Sequence, residues 1–206
     1  MTVSEAASEV LQDKHFYDNT RGGLTVSGGE LLSQTRFALS LIEKCAACGI
    51  KSCIDTSGYG SFDDLLTLVN AEGLEAVLYD IKSIDDDVHK RYTGVGSRMI
   101  LDNLKKLAAE KPAHVEIHAR LPLIRDINDG ISHAEAAASL LASLGIRKAT
   151  LLPYHNLGIS KARNVGMDIR EFSPPASEKT EKLSAVYNSA GIDTAILGKE
   201  SADEND

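Results

Sequence analysis

The sequence predicts an α/β fold in which parallel strands alternate with helices and build a partial, open barrel. Three observations carry this reading. Strand-like and helix-like stretches follow one another in regular succession, the pattern of parallel strands joined by right-handed crossovers. Polar and glycine-rich residues recur just after the strands, at Ser27-Gly28-Gly29-Glu30, Asp55-Thr56-Ser57-Gly58, Asp80-Ile81-Lys82 and Pro153-Tyr154-His155. In α/β sheets and barrels, sites gather at those carboxyl ends. Finally, five strands can be counted, too few for an eight-stranded barrel.

Residues 2–14 read as an opening helix, and Gly23-Leu24-Thr25-Val26-Ser27 as a short strand that runs into Gly28-Gly29. Residues 35–48 fit an amphipathic helix with Phe37, Leu41, Ile42 and Cys45 on one side, closed by Gly49 in the usual C-terminal position. Ile50 to Asp55 is the second strand, 61–71 a helix, and Ala76 to Ile81 a strand of the buried type. A helix over 98–110, a long strand from His114 to Leu123, a helix over 133–144, a strand over 148–153 and a last helix over about 177–190 complete the order.

The 206 residues, 43% of them hydrophobic, suffice for one domain with a sizeable core. The balance of 22 basic against 30 acidic residues, a formal charge of −8, argues against a nucleic-acid footprint, which needs clustered Lys and Arg. No apolar run approaches the ~20 residues that span a membrane. The first residues, Met1-Thr2-Val3-Ser4-Glu5, lack the basic-then-apolar pattern of a secretory signal, so the expected location is the cytoplasm. Residues 1–199 read as one domain, and the acidic run over 200–206 as a disordered tail.

Each of the four segments after the strands has a plain reading and a functional one. Ser27-Gly28-Gly29-Glu30 makes a strand-to-helix turn, or lets a ligand approach exposed backbone beside a carboxylate. Asp55-Thr56-Ser57 caps the next helix, or binds a hydroxyl, an amino group or a small cation. Along a strand, Asp80 and Lys82 share a side; they form an ion pair, or receive the amine or ribose and the carboxylate of a zwitterionic ligand. His155 is structural, or belongs with the other three at the mouth of the sheet. No Ser, Cys or Thr stands beside an obvious partner His, so the set suits holding a small polar zwitterion better than hydrolysis.

The same segments, in the same order, resemble the glycyl-radical-enzyme activating enzymes of the radical S-adenosylmethionine superfamily, such as pyruvate formate-lyase activating enzyme. The matching stretches are Phe16-Tyr17-Asp18-Asn19 with Gly22 to Glu30; Gly49-Ile50 with Ile54 to Tyr59; Leu78 to Lys82 with Asp85, His89, Tyr92-Thr93-Gly94 and Ile100 to Leu104; Arg120 to Ile124 with Asn128-Asp129; and Leu151 to Gly158 with Lys161. The resemblance spans roughly residues 2–192 and implies a partial (β/α)6 barrel that binds S-adenosylmethionine. It implies that Gly28, Gly29 and Glu30 meet the methionine amino group. Asp80, Ile81, Lys82 and His155 are also implied to contact the cofactor. By the same resemblance, Asp55, Thr56 and Asp80 lie where the family can hold a monovalent cation near the cofactor carboxylate. The implied chemistry is reductive cleavage of S-adenosylmethionine by a 4Fe-4S cluster, giving a radical that removes a hydrogen from a glycine of a partner glycyl-radical enzyme. Flavodoxin or ferredoxin is the implied electron donor.

Several departures set further expectations. The family's C-x3-C-x2-C precedes the glycine-rich opening, and residues 1–22 hold no cysteine. The expectation is therefore a chain without its first strand and helix, with the cluster present in the full-length form only and its ligands outside this sequence. Cys45, Cys48 and Cys53 read as structural, since free Cys is commonly a small buried hydrophobe. An unpaired edge at Leu24–Ser27 would invite self-association. Leu31 replaces a proline, Arg125-Asp126 stands where the family usually has Pro-Gly, and Ala162-Arg163-Asn164 follows Lys161 in place of an aromatic continuation. The alternative function is a non-catalytic module that binds S-adenosylmethionine or the partner; an unrelated barrel enzyme using Lys82 or His155 as base is a third reading.

Overall fold

The structure is a computed structural model that describes residues 1–20, 22–155 and 172–198. Among them six strands form one sheet in sequential order: β1 (Leu24–Val26), β2 (Ser52–Thr56), β3 (Leu74–Asp80), β4 (Glu116–Leu123), β5 (Lys148–Pro153) and β6 (Asp193–Ile196). The pairs β1–β2, β2–β3 and β5–β6 are parallel. Around the strands run α1 (Val3–Gln12), α2 (Lys14–Thr20), α3 (Thr35–Ala46), α4 (Phe62–Val69), α5 (Asp86–Thr93), α6 (Arg98–Glu110), α7 (Ile131–Ser143) and α8 (Ser177–Ser189), with a 3-10 turn at Leu31–Gln34. The parallel α/β class is as expected. The acidic tail lies outside the described residues.

The count of five strands is corrected to six. β6 is four residues long and only half-buried along its length, so it carries no apolar signal of its own; its register against β5, Lys148↔Asp193 to Leu151↔Ile196, is set by pairing. The helix α5 was also passed over. Its ends are well marked, with Asp85 accepting from the Val88 amide and Gly94 in the left-handed conformation, but His89 is its one buried residue.

The chain divides into two compact units, Met1–Asp80 with Ser97–Ala119, and Ile81–Gly96 with the chain from Arg120 onward. In the first, one face of the strands carries Ile54, Val77 and Tyr79 and is covered by helices that bring Ile42, Leu65, Leu68, Leu104 and Leu107, all fully buried. Each such side chain contributes about 1.5–3 kcal/mol of burial. The alternate positions Cys53, Asp55, Ala76, Leu78 and Asp80 are half-buried, so the two faces differ as period-2 alternation requires. A second cluster joins α1 to α3 through Ala6, Ala7, Leu41, Cys45 and Ile50. In the other unit α7 packs on α8, and Leu121, Leu123, Ala149, Leu151, Leu141, Leu183 and Ile192 form the core.

Candidate functional site

In the first unit the chain leaves β1 through Gly28 (φ 102°) and Gly29 (φ 57°), both left-handed. A Cβ on either would meet nothing within 4 Å. These positions therefore need glycine for conformation, and the space beside their backbone is open to a ligand. Glu30, next in line, caps the 3-10 turn by accepting from the Leu32 amide at 3.2 Å. The same oxygen, Oε1, accepts from the Thr56 hydroxyl at 2.5 Å, and Oε2 accepts from the Ser57 amide (3.0 Å) and hydroxyl (2.5 Å). Four donors match the roughly four lone-pair sites of a carboxylate. Glu30 thus ties the loop after β1 to the loop after β2, and leaves the backbones of Gly28 and Gly29 beside open space.

The second loop is held from behind. Thr56, 3% exposed, accepts from the Gly58 amide at 2.9 Å. Asn103 of α6 donates to the carbonyls of Gly58 (2.8 Å) and Gly60 (3.0 Å), and the Tyr79 hydroxyl donates to the Ile100 carbonyl at 2.7 Å. Burial, with the nearby Glu30 charge as a second cause, pushes the Tyr79 phenol far above its ordinary range, so it stays protonated as that donor. Asp55 pairs in register with Leu78, one pleat before Asp80, so Asp55 and Asp80 stand on one face at the carboxyl ends of β2 and β3.

In the second unit Ile81 is buried and its amide donates to the Arg120 carbonyl at 2.9 Å. The expectation that a strand runs through Ile81 is corrected: β3 ends at Asp80, so Lys82 stands exposed in a connecting segment rather than on the ladder. His155 is exposed two residues beyond β5. Asn156-Leu157-Gly158, Lys161 and Ala162-Arg163-Asn164 lie outside the described residues. Asp126 has φ 59°.

Sequence reading missed Asn103, Asn128 and His133 as organising residues. For Asn103 a signal existed: it falls on the apolar stripe Ile100-Leu104-Leu107, where a polar residue must find buried partners.

Backbone room at Gly28-Gly29 together with carboxylates at Asp55 and Asp80 fits a zwitterionic ligand such as S-adenosylmethionine. The three cysteines do not fit an iron–sulfur cluster. Cys45 is 1% exposed inside the α1–α3 cluster, where burial raises its thiol pKa, and the Cys53 thiol lies 3.7 Å from the Ile54 carbonyl within β2. Among the described residues no group of three His, Cys, Asp or Glu side chains is placed to hold a metal ion, and no helix is long and apolar enough to cross a membrane.

No protein-family model matches the chain. It is 33% identical over 188 residues to the pyruvate formate-lyase-activating enzyme of Clostridium pasteurianum, covering 89% of this chain and 76% of that protein. It is 40% identical over 160 residues to the isethionate sulfite-lyase activating enzyme of Nitratidesulfovibrio vulgaris, covering 78% of this chain and 51% of the relative. Against this and two other activating enzymes the chain spans about half to two thirds of the relative's length (51%, 64% and 65%). A crystal structure of a domain of pyruvate-formate lyase-activating enzyme from Bacteroides vulgatus superposes with a TM-score of 0.71 at 26% identity, covering 86% of this chain and 99% of that one.

Proposed function

The chain belongs to the glycyl-radical-enzyme activating enzymes, and from that premise we propose that it is the S-adenosylmethionine-holding part of an enzyme that generates a glycyl radical on a partner protein. The observation that carries the reading is the identity to the Clostridium pasteurianum enzyme across 76% of its length. The names of the relatives point to a glycyl-radical enzyme as the protein substrate, such as pyruvate formate-lyase or isethionate sulfite-lyase. Reduction by a flavodoxin or ferredoxin, a cytoplasmic setting and self-association along β1 complete the proposal.

S-adenosylmethionine supplies the 5′-deoxyadenosyl group for hydrogen removal. This chain's residues hold and orient it. The backbone of Gly28 and Gly29, with the Glu30 carboxylate beside it, receives the methionine ammonium. Asp55 and Asp80 balance charge beside the cofactor, directly or through a monovalent cation. Ile81, Lys82 and His155 complete the assignment. The 4Fe-4S cluster that the family requires draws on ligands other than Cys45, Cys48 and Cys53.

Titration calorimetry of the chain with S-adenosylmethionine tests the reading. Binding at about 1 mM or tighter is expected, with a loss of about tenfold in Asp80→Ala or His155→Ala. No binding by the parent chain would overturn it. Stoichiometric 4Fe-4S uptake by the chain after anaerobic iron reconstitution would overturn the assignment of the three cysteines.

A further inference from the structure

Past Ile81, whose amide still bonds to β4, the residues of the Ile81–Asp85 segment that include Lys82 belong to no strand or helix, so something other than ladder hydrogen bonds must fix them. Two side chains do so. Asn128, 6% exposed, donates from Nδ2 to the Lys82 carbonyl and to the Pro122 carbonyl, both at 2.7 Å, and accepts on Oδ1 from the Ile124 amide, also at 2.7 Å. Its carboxamide therefore uses two donors and an acceptor at once, and locks the backbone of Lys82 to the end of β4. From the other side His133, on the first turn of α7, receives the Ile84 amide at Nε2 (3.3 Å) and lies 3.2 Å from the Ser83 hydroxyl. The Ser83 oxygen in turn accepts from the Asp85 amide at 3.1 Å. The backbone N–H of Ile84 can only donate, so Nε2 is the unprotonated nitrogen and Nδ1 carries the proton.

We propose that Asn128 and His133 are positioning residues that clamp the Ile81–Asp85 segment and thereby aim Lys82 at the cofactor. The inference rests on the cofactor-binding reading for Lys82 and deepens it. A flexible lysine on an untethered segment would search many orientations. A fixed backbone leaves only the side-chain torsions to order on binding. Asn128 is irreplaceable here by its nearest isostere, because aspartate offers oxygen where two carbonyls need N–H.

Asn128→Asp tests this in the full chain by two measurements. Hydrogen exchange should quicken about tenfold at the amides of Ile81–Asp85 while those of β5 and α8 keep their protection. Affinity for S-adenosylmethionine should fall about tenfold with Lys82 present and by less than about twofold in a Lys82→Ala background, because Asn128 acts through Lys82. If Asn128→Asp does not fold, His133→Leu removes the acceptor for Ile84 from the opposite side and is held to the same criteria. Unchanged exchange at Ile81–Asp85, or an equal affinity loss in both backgrounds, overturns the proposal. Failure of the underlying reading shows differently: Lys82→Ala alone then leaves the affinity of the parent chain unchanged, and the clamp falls with it.

Discussion

The carboxylate of Glu30 accepts both the amide and the hydroxyl of Ser57, at 3.0 and 2.5 Å, so the loops after β1 and β2 form one structure. A third donor, Thr56, is 3% exposed and sits against the other oxygen. An exposed glutamate makes no such demands on its neighbours. This one collects donors that have little access to water.

Glu30→Ala should therefore destabilise the chain by about 1–3 kcal/mol, the cost of stranding buried donors. Glu30→Gln should cost less, because its Oε1 still accepts while its amide nitrogen opposes the remaining donors. Urea denaturation reads both. A Glu30→Ala variant as stable as the parent would show that these bonds exchange freely with water.

Gly58 has φ 71°, and a Cβ there would overlap the Tyr79 hydroxyl. Gly49 has φ 75° and open space around its Cβ. Alanine at Gly49 should cost only the left-handed backbone strain, about 1 kcal/mol. Alanine at Gly58 adds a displaced core tyrosine and should cost about 3 kcal/mol or more. Melting temperatures of the two variants compare these directly; equal losses would mean that Tyr79 moves aside without penalty.

The alternation of strands and helices was legible because it rests on hydrophobic period, and so were the polar segments at the strand ends. Less legible was what each polar residue does. Glu30 reads as a ligand group in sequence, yet its carboxylate is taken up by Thr56 and Ser57, which lie more than twenty residues away and become its neighbours only through parallel pairing of β1 with β2. β6 was hidden because register against β5, not its own composition, makes it a strand. Asn128 falls in a recognisable motif, but its partners come from elsewhere in the chain, Lys82 from the connection after β3 and Pro122 from β4.

His133 is held neutral: burial lowers its pKa, with the Asp85 carboxylate partly opposing. The unfolded chain then binds more protons than the folded one as pH falls below the ordinary histidine value of about 6.5. Stability should be at its full value above that pH and decline as pH falls towards the depressed folded value. In His133→Gln this component of the pH dependence should vanish. Denaturant midpoints between pH 7.5 and 5 measure it, and parallel profiles for parent and variant would remove His133 as the source.

Asp126 adopts φ 59°, the left-handed region that favours glycine, and its amide donates to the Asp129 carboxylate at 2.9 Å. Asp129 is 2% exposed and is also paired with Lys179 at 2.7 Å, so the turn is anchored to α8 by a buried carboxylate. Aspartate tolerates the left-handed region better than most residues, yet still at some cost. Asp126→Gly relieves that strain but gives the unfolded chain more freedom, which costs about 0.4–1 kcal/mol; the two effects oppose, and stability should stay within about 1 kcal/mol of the parent. A β-branched residue has no such accommodation, and Asp126→Val should lose about 2 kcal/mol through the backbone alone. Asp129→Asn should lose more than Asp126→Gly, because it removes the charge opposite Lys179 and weakens the acceptor for the turn amide. Chemical denaturation of the three variants orders them. If Asp126→Val proves as stable as the parent, the left-handed turn is not what this position requires.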